Sequence, residues 1–337
     1  MPPTEAGLHL SPAGSSRFTA TPSVFRTASG VRIVYHVRTL ILRRTPRRPA
    51  SLSLSVSDSL SVTLSLALPQ YSPGAEDGYT PIVYMGGGQS GAEAAAQDFG
   101  AETPSFKAHP MLLFDRRGAG EGASDVWYED MVGADGLSEC EAQAEDLAAL
   151  MDHLQLPPAI LIGFSSGARL FGMLALRHPE RVRALVLIIL TGGPNAAHQL
   201  GQIYYGRLAQ LAKAGGMEAV LSDPSMRPKA RVNEAVASYL RSLPPDRFVE
   251  AMERSAALFE STKHEPALGL PTAALANLTT PALIVHNRGP GIGDGMHMES
   301  VTRAVAAALP NAEPPVCSTE LRVWWGAILR FVEKHGC

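Results

Sequence analysis

Cysteine is scarce in this sequence, and the short motifs that bind metals or nucleotide phosphates are missing. The three cysteines, Cys140, Cys317 and Cys337, are odd in number and widely spaced. This pattern indicates neither a disulfide framework nor a cysteine-based metal site, and it is typical of a reducing compartment such as the cytoplasm. The chain contains no His-Glu-x-x-His, Cys-x-x-Cys, Walker lysine loop or EF-hand motif. We therefore expect no metal and no cofactor.

Long apolar runs and an excess of charge of one sign are also absent. No stretch approaches the roughly 18 uninterrupted apolar residues that a membrane helix requires, so we expect no membrane partner. The net charge of −3 does not favour binding to nucleic acid. With 337 residues, of which 45% are hydrophobic and 18% charged, the chain has enough apolar material for one large domain.

Acidic residues are almost missing from the N-terminal part of the chain. Glu5 is the single acid among the first 56 residues, which are rich in Ser, Thr and Arg. This composition predicts a disordered tail over 1–23 and leaves organelle targeting open. Residues 38–78 begin with basic side chains and continue as alternating Ser and Leu. Because such low complexity rarely specifies strand register, we interpret 38–78 as an insertion without chemistry.

Apolar runs of strand length alternate with helical patterns from residue 80 onward. Together with a first strand nearer the N-terminus, these runs cover residues 31–37, 81–85, 111–114, 159–164, 184–190 and 282–285. Continuous apolar strands separated by amphipathic helices are typical of a mostly parallel sheet with helices on both faces. The sequence therefore predicts an α/β fold.

The alternation stops between residues 192 and 280, where helical segments follow one another without strands. We predict a helical lid over 192–280, inserted before the penultimate strand, and a core formed by 24–191 and 281–337. A final amphipathic helix is predicted over 320–334. The apolar side chains of the lid predict a pocket with few charges, which suits a small, largely uncharged ester, lactone or amide.

The sharpest chemical signal is a Gly-x-Ser-x-Gly sequence centred on Ser165. It follows the apolar run 159–164 and precedes a helical pattern. A serine on a tight turn between a strand and a helix needs small residues two positions to either side, here Gly163 and Gly167. The start of the helix also favours negative charge beside the serine. We therefore predict that Ser165 is a nucleophile.

Three further segments, in the right order around this turn, resemble the α/β-hydrolase family. Met85-Gly86-Gly87 follows a strand where the family has its oxyanion turn, and Asp115-Arg116-Arg117-Gly118 resembles an Asp-x-Arg-Gly turn of the family. The segment 281–297 is similar to the strand and loop that carry the acid. The resemblance, to lidded proline iminopeptidase-like and esterase-like serine hydrolases, implies acyl transfer to water. It also implies that the backbone N–H groups of Gly87 and Ser166 form the oxyanion hole.

The family's acid and histidine are less easily placed. The order serine, acid, histidine along the chain makes Asp294 the acid by resemblance. The family's histidine follows the last strand, but the corresponding residues, 311–320, contain no histidine. We predict His297, three residues after Asp294, as the base. His286, at the end of a core strand, remains an alternative, whereas His335 near the end of the last helix is poorly placed.

The sequence leaves two other interpretations open. Since a serine without a basic partner is a weak nucleophile, the chain could be a hydrolase-like protein that only binds a small molecule or a partner. The run Gly-Gly-Gly-Gln-Ser-Gly at 86–91, followed by Asp115, also fits a dinucleotide-binding Rossmann fold. A small-molecule substrate is the expected partner, and homo-oligomer formation stays open.

Overall fold

The computed structural model describes residues 23–26, 32–38, 79–88, 91–92, 109–117, 137–232, 234–288 and 295–336. Most of the predicted tail, almost all of the predicted insertion over 38–78, and Asp294 lie outside these ranges. Within them, no helix is long and apolar enough to cross a membrane.

The described residues form an eight-stranded sheet in the order β1-β2-β4-β3-β5-β6-β7-β8. The strands are β1 (Ser23–Arg26), β2 (Arg32–Arg38), β3 (Ile82–Met85), β4 (Met111–Phe114), β5 (Ala159–Phe164), β6 (Val182–Ile188), β7 (Ala282–Asn287) and β8 (Val316–Ser318). Strand β2 is antiparallel to both of its neighbours, β1 and β4. The strands from β3 to β8 run parallel to one another. The prediction of a mostly parallel sheet is thus confirmed.

Every apolar run that we predicted as a strand forms one, with shifts of a few residues at the ends. The strand predicted over 184–190 runs over 182–188, because Ile189 takes a positive φ of 52° and leaves the extended conformation. Strands β1 and β8 were not predicted. They have four and three residues, which is too short for an alternating pattern to stand out from a loop.

Helices cover both faces of the sheet. They are α1 (Glu139–His153), α2 (Ser166–Arg177), α3 (Gly193–Gly201), α4 (Arg207–Leu221), α5 (Arg227–Val232), α6 (Glu234–Ser242), α7 (Pro245–Ser261), α8 (Thr272–Leu275), α9 (Glu299–Ala308) and α10 (Leu321–His335). On one face, buried side chains of α1, α2 and α9 pack against alternate strand residues such as Val83 and Leu161. On the other face, Trp324, Ile328 and Phe331 of α10 pack in one cluster with strand residues of the opposite set.

The segment between β6 and β7 is helical throughout most of its length and contains α3 to α8, together with a π-helical turn over Gln202–Gly206. We call residues 193–275 the helical region. It has an apolar cluster of its own, which includes Tyr205, Phe248, Met252 and Phe259. The run of helices predicted between residues 192 and 280 is therefore present, and it begins at Gly193, a few residues after β6 ends.

Candidate active site

Ser165 lies at the sharp turn where β5 ends and α2 begins. Its φ and ψ are 53° and −109°, a backbone conformation that non-glycine residues rarely adopt and that costs energy to hold. The backbone N–H of Ser165 donates to the carbonyl of Ile188 at 2.8 Å, and its own carbonyl accepts from the N–H of Arg169 at 3.1 Å. The turn is thus fixed by the neighbouring strand on one side and by the first turn of the helix on the other.

The two glycines of the turn are required by close backbone contacts. A Cβ added to Gly163 would lie 2.5 Å from the carbonyl oxygen of Gly167. A Cβ added to Gly167 would lie 2.5 Å from the carbonyl oxygen of Met85. Since real Cβ atoms do not approach backbone atoms so closely, any larger residue at either position would push the turn away from its neighbours. These contacts hold Ser165 close to the end of β3.

His297 contacts the serine directly. The Oγ atom of Ser165 lies 3.1 Å from Nε2 of His297, which follows β7 and precedes α9. The His297 side chain is half-buried. The loop that carries it lies against the turn after β6, since the N–H of Gly192 donates to the carbonyl of Met296 at 3.2 Å. The structure therefore brings together two of the predicted site residues.

The other two candidate histidines do not meet Ser165 in the described part of the chain. His286 lies within β7 and is buried, and its Nδ1 atom has no hydrogen-bond partner among the described residues. Burial lowers the pKa of His286, which favours the neutral ring. His335 contacts Phe331 within α10, with ring centroids 4.6 Å apart and ring planes inclined at 53°. Its pKa is also lowered by burial.

Arg288 and Glu299, at the two ends of the loop that carries His297, form a two-bond ion pair that we call the fork. Arg288, directly after β7, donates through Nε and Nη2 to the two carboxylate oxygens of Glu299, both at 2.6 Å. Arg303, one turn further along α9, donates to the same carboxylate. These bonds, that from Arg288 first, lower the pKa of Glu299 to about 2. The fork joins the two ends of the loop 288–299, within which Asp294 lies outside the described residues.

The glycines after β3 lie directly against the serine. A Cβ added to Gly87 would lie 2.8 Å from the Phe164 ring and 3.2 Å from Cβ of Ser165. Gly88 has a φ of 58°, a left-handed conformation that favours glycine. Its carbonyl oxygen accepts hydrogen bonds from Nη2 of Arg116 at 2.6 Å and from Oγ of Ser166 at 2.7 Å. We call residues 86–88 the glycine turn.

Sequence reasoning missed the side chains of Arg116 and Ser166. The sequence resemblance places Arg116 in the turn after β4 and assigns a role to Ser166 only through its backbone N–H. No periodic pattern marks either side chain, because their contact with Gly88 arises where three segments far apart in the chain meet. A signal was nevertheless present, since Arg116 is a charged residue only two positions after the apolar strand 111–114 and must either leave the core or find a partner in it.

The neighbouring residues Asp115 and Arg117 have structural contacts. The carboxylate of Asp115 accepts from the backbone N–H of Ala92 at 2.7 Å. Arg117 donates through Nε and Nη2 to the carboxylate of Asp146, both at 2.6 Å, which ties the end of β4 to α1. Asp115, the ribose-binding residue of the Rossmann interpretation, is thus buried and engaged with the backbone after the glycine turn.

The helical region borders the site through its π-helical turn. The phenol of Tyr205 donates to the carboxylate of Glu139 at the start of α1. The phenol oxygen of Tyr204 lies 3.9 Å from where a Cβ at Gly88 would be. On the same side, the Arg169 guanidinium stacks 4.7 Å from the centre of the Phe259 ring. Its Nε atom donates to the carbonyl of Leu268 at 2.8 Å.

Comparison with known proteins gives partial sequence matches. The model of the α/β hydrolase fold family matches residues 84–218. A proline iminopeptidase of Arabidopsis thaliana is 31% identical over 114 residues, which are 34% of this chain and 27% of that protein. A putative carbamate hydrolase, RutD, of Caulobacter sp. (strain K31) is 31% identical over 150 residues, which are 44% of this chain and 51% of that protein. The chain thus spans about half or less of the length of these curated relatives.

Solved structures match over nearly the whole chain. A hydrolase from Pseudomonas aeruginosa PA01 is 19% identical with a TM-score of 0.51, covering 93% of this chain and 99% of that one. The esterase RhEst1 from Rhodococcus sp. ECU1013 is 17% identical with a TM-score of 0.51, covering 94% and 99%. At such low identity the likeness concerns the fold. It makes the Rossmann interpretation wrong, because one hydrolase fold accounts for both glycine-rich segments. The sheet order and these structural matches together show that the chain has the α/β-hydrolase fold.

Proposed function

We propose that this protein is a serine hydrolase that transfers an acyl group from an ester, lactone or amide to water. Ser165 is the nucleophile in this proposal, and His297 is the general base. The observation that carries it is the distance of 3.1 Å between Oγ of Ser165 and Nε2 of His297. This lies within the reach at which an imidazole can accept the proton of a serine hydroxyl.

The reaction follows from this contact in two steps. In the first, Oγ of Ser165 attacks the carbonyl carbon while its proton passes to His297, and the leaving group departs with that proton. In the second, a water molecule attacks the acyl-enzyme, its proton passes to His297, and Ser165 is released with the proton returned. The N–H groups of Gly87 and Ser166 stabilise the negative oxygen in both steps. In this proposal the carboxylate of Asp294 orients the imidazole ring of His297.

The backbone geometry supports this arrangement independently of the histidine. A serine held at a φ of 53° between two glycines that admit no side chain is costly to maintain. A protein that used the turn only for packing would gain stability from an unstrained residue there. The start of α2 at Ser166 also directs backbone N–H groups toward Ser165, where an anionic oxygen would form.

The chemical class of substrate is supported by the surroundings of the site. Three of the similar proteins are named as a proline iminopeptidase, a putative carbamate hydrolase and an esterase, and each of these names refers to cleavage of an acyl bond. The helical region approaches the glycine turn through Tyr204, whose phenol oxygen lies 3.9 Å from where a Cβ at Gly88 would be. Met298, next to His297, is exposed. We propose that the helical region acts as a lid over a small, largely uncharged substrate.

Labelling with a fluorophosphonate tests this proposal without knowledge of the substrate. In the reaction, the Ser165 oxygen forms a bond to phosphorus, fluoride leaves, and the serine proton passes to His297. We expect the wild-type protein to be labelled, Ser165→Ala not at all, and His297→Ala more slowly by a factor on the order of 10³ or more. His264→Ala is the matched control, since His264 is an exposed histidine of the helical region.

The competing candidate is a hydrolase-like protein that binds a ligand without catalysis. The absence of a histidine from residues 311–320 favours it. A folded wild-type protein that is not labelled would reject the serine-hydrolase proposal in favour of this candidate. Labelling that persists in Ser165→Ala, or that His264→Ala reduces as strongly as His297→Ala, would also contradict the proposed roles.

A further inference from the structure

The carbonyl oxygen of Gly88 is held by two side chains at once. Arg116 donates to it from the end of β4 at 2.6 Å, and the Ser166 hydroxyl donates to it from the start of α2 at 2.7 Å. A carbonyl oxygen has two lone pairs, so these two bonds use its full capacity. Three segments that are far apart in the chain are therefore joined at one atom of the glycine turn.

Arg116 is buried, and burying its charged guanidinium at this contact costs free energy. Only 4% of its surface is exposed, and its Nε atom has no hydrogen-bond partner among the residues that the structure describes. Burial lowers the pKa of its guanidinium, although the nearby carboxylate of Glu139 acts in the opposite direction. A buried cation costs free energy unless it is paired and hydrogen-bonded, and an apolar side chain would avoid this cost. The position therefore calls for a role beyond packing.

Ser166 connects the two sides of the proposed oxyanion hole. Its backbone N–H is one of the two proposed donors, while its hydroxyl holds the turn that presents the other donor, the N–H of Gly87. That turn already lies close to the nucleophile, since a Cβ on Gly87 would be 3.2 Å from Cβ of Ser165. Donors must be within a few tenths of an ångström of the right distance to stabilise a developing oxyanion. A small movement of the glycine turn would therefore weaken the hole.

We propose that Arg116 and the Ser166 hydroxyl are positioning residues, which hold the carbonyl of Gly88 so that the N–H of Gly87 points at the reacting oxygen. The inference rests on the proposed function, because it assigns a role in the oxyanion hole of that same site. Neither side chain contacts the substrate. Both act through the orientation of the glycine turn, and the Ser166 hydroxyl ties the spacing of the two donors to the serine turn itself.

A pair of probes that differ in one atom tests this role. A fluorophosphonate carries a P=O oxygen that accepts from the oxyanion hole, whereas its P=S analogue is a much weaker acceptor. We expect Ser166→Ala to slow labelling by the P=O probe about tenfold and to change labelling by the P=S probe little, so that the ratio of the two rates falls. Ser166→Thr, which keeps the hydroxyl, should restore most of the ratio. Arg116→Lys should lie between the wild type and Ser166→Ala.

Ser255→Ala is the matched control, because the Ser255 hydroxyl is also buried and donates to a backbone carbonyl, that of Ala251 at 2.9 Å within α7. It should leave the ratio unchanged. An unchanged ratio in a folded Ser166→Ala that is labelled normally would overturn the positioning role alone. Equal slowing with both probes would also overturn it, since a general loss of structure does not distinguish oxygen from sulfur. A wild-type protein that reacts with neither probe would overturn the proposed function and this inference with it.

Discussion

Ser165 and His297 are 132 positions apart in the chain, yet Oγ of the serine and Nε2 of the histidine are 3.1 Å from each other. The histidine comes from the loop between β7 and α9 rather than from the segment after β8. By resemblance, the family supplies its histidine from the loop after the last strand. Here residues 311–320, which contain β8 and its connection to α10, include no histidine. In this protein a loop assigned to the acid also brings an imidazole to the serine.

The strained backbone of Ser165 predicts that replacement by glycine is tolerated at least as well as replacement by alanine, the reverse of the order of stability expected within a helix. A non-glycine residue at a positive φ costs roughly 1–3 kcal/mol, and this cost remains in Ser165→Ala. Ser165→Gly removes it but gains about 0.4–1 kcal/mol of chain entropy in the unfolded state. We expect Ser165→Gly to be at least as stable as Ser165→Ala in urea unfolding. At Ser255, within α7, the glycine variant should be the less stable one by about 1 kcal/mol; the same order at both positions would contradict strain at Ser165.

The fork between Arg288 and Glu299 predicts a loss of activity without a matching loss of stability. Both side chains are partly exposed, and ion pairs that water can reach contribute little to folding. The fork nevertheless joins the ends of the loop that carries His297. We expect Glu299→Gln to slow fluorophosphonate labelling several-fold while the melting temperature changes little. Glu253→Gln breaks a comparable exposed pair with Lys213 in the helical region and should leave labelling unchanged; an equal effect of both would reject the link between the fork and the site.

The pH dependence of this fork follows from the pKa of Glu299. In the folded protein the pKa of Glu299 is about 2, below its ordinary value of 4.5. The ionised Glu299 carboxylate therefore makes its full contribution to the stability of the fold when the pH is above 4.5. This contribution is lost as the pH falls through about 2. We expect the ratio of labelling rates between wild type and Glu299→Gln to stay constant from about pH 6 to pH 9. A ratio that varies across that interval would show that another titrating group governs the loop.

The close contacts at Gly163 and Gly167 predict large costs for one methyl group. Each Cβ would meet a backbone carbonyl oxygen at 2.5 Å, and backbone cannot move aside as a flexible side chain can. We expect Gly163→Ala and Gly167→Ala each to destabilise the fold by about 1–3 kcal/mol. Gly326→Ala, within α10, is the control, because its Cβ would meet only the end of the Arg330 side chain at 3.4 Å. Thermal unfolding should show Gly326→Ala to be neutral or stabilising.

Burial of His286 predicts acid sensitivity of the folded protein. Desolvation lowers its folded pKa below the ordinary value of 6.5, so the unfolded chain binds more protons as the pH falls below that value. His286 therefore has no effect on stability at high pH and destabilises the fold increasingly as the pH falls through 6.5. We expect the melting temperature of His286→Gln to fall less between pH 7.5 and pH 5.5 than that of the wild type. An equal fall in melting temperature for both proteins would contradict this role of His286.

Much of the sheet and the serine turn could be predicted because their signals are local. The buried run at 159–164 and the glycines around Ser165 lie next to one another in the sequence, and the turn needs both. The helical region could also be predicted, because apolar runs of strand length stop after β6 while helical patterns continue. Strand β8 could not be predicted, since Val316, Cys317 and Ser318 form a strand only by pairing with β7. Such a strand depends on its neighbour and not on its own pattern.

The contacts of the site were beyond a reading of the sequence for the same reason. Whether His286 or His297 meets Ser165 depends on how the loop 288–299 folds against the turn after β6. The sequence predicts His297 only through its position near Asp294, and no pattern of its own marks it. The bonds from Arg116 and Ser166 to Gly88 depend on three loops whose relative positions exist only in the folded sheet.

The position of His297 on the β7–α9 loop has a consequence for how such a site could be transferred. With the proposed base and the proposed acid both inside residues 288–299, one contiguous segment of twelve positions holds everything that the serine needs from the second half of the core. The β8–α10 connection is then released from any role in the chemistry and can vary in length and composition. With this arrangement, the segment that holds the proposed base and acid could be grafted as one piece onto another sheet of the same strand order.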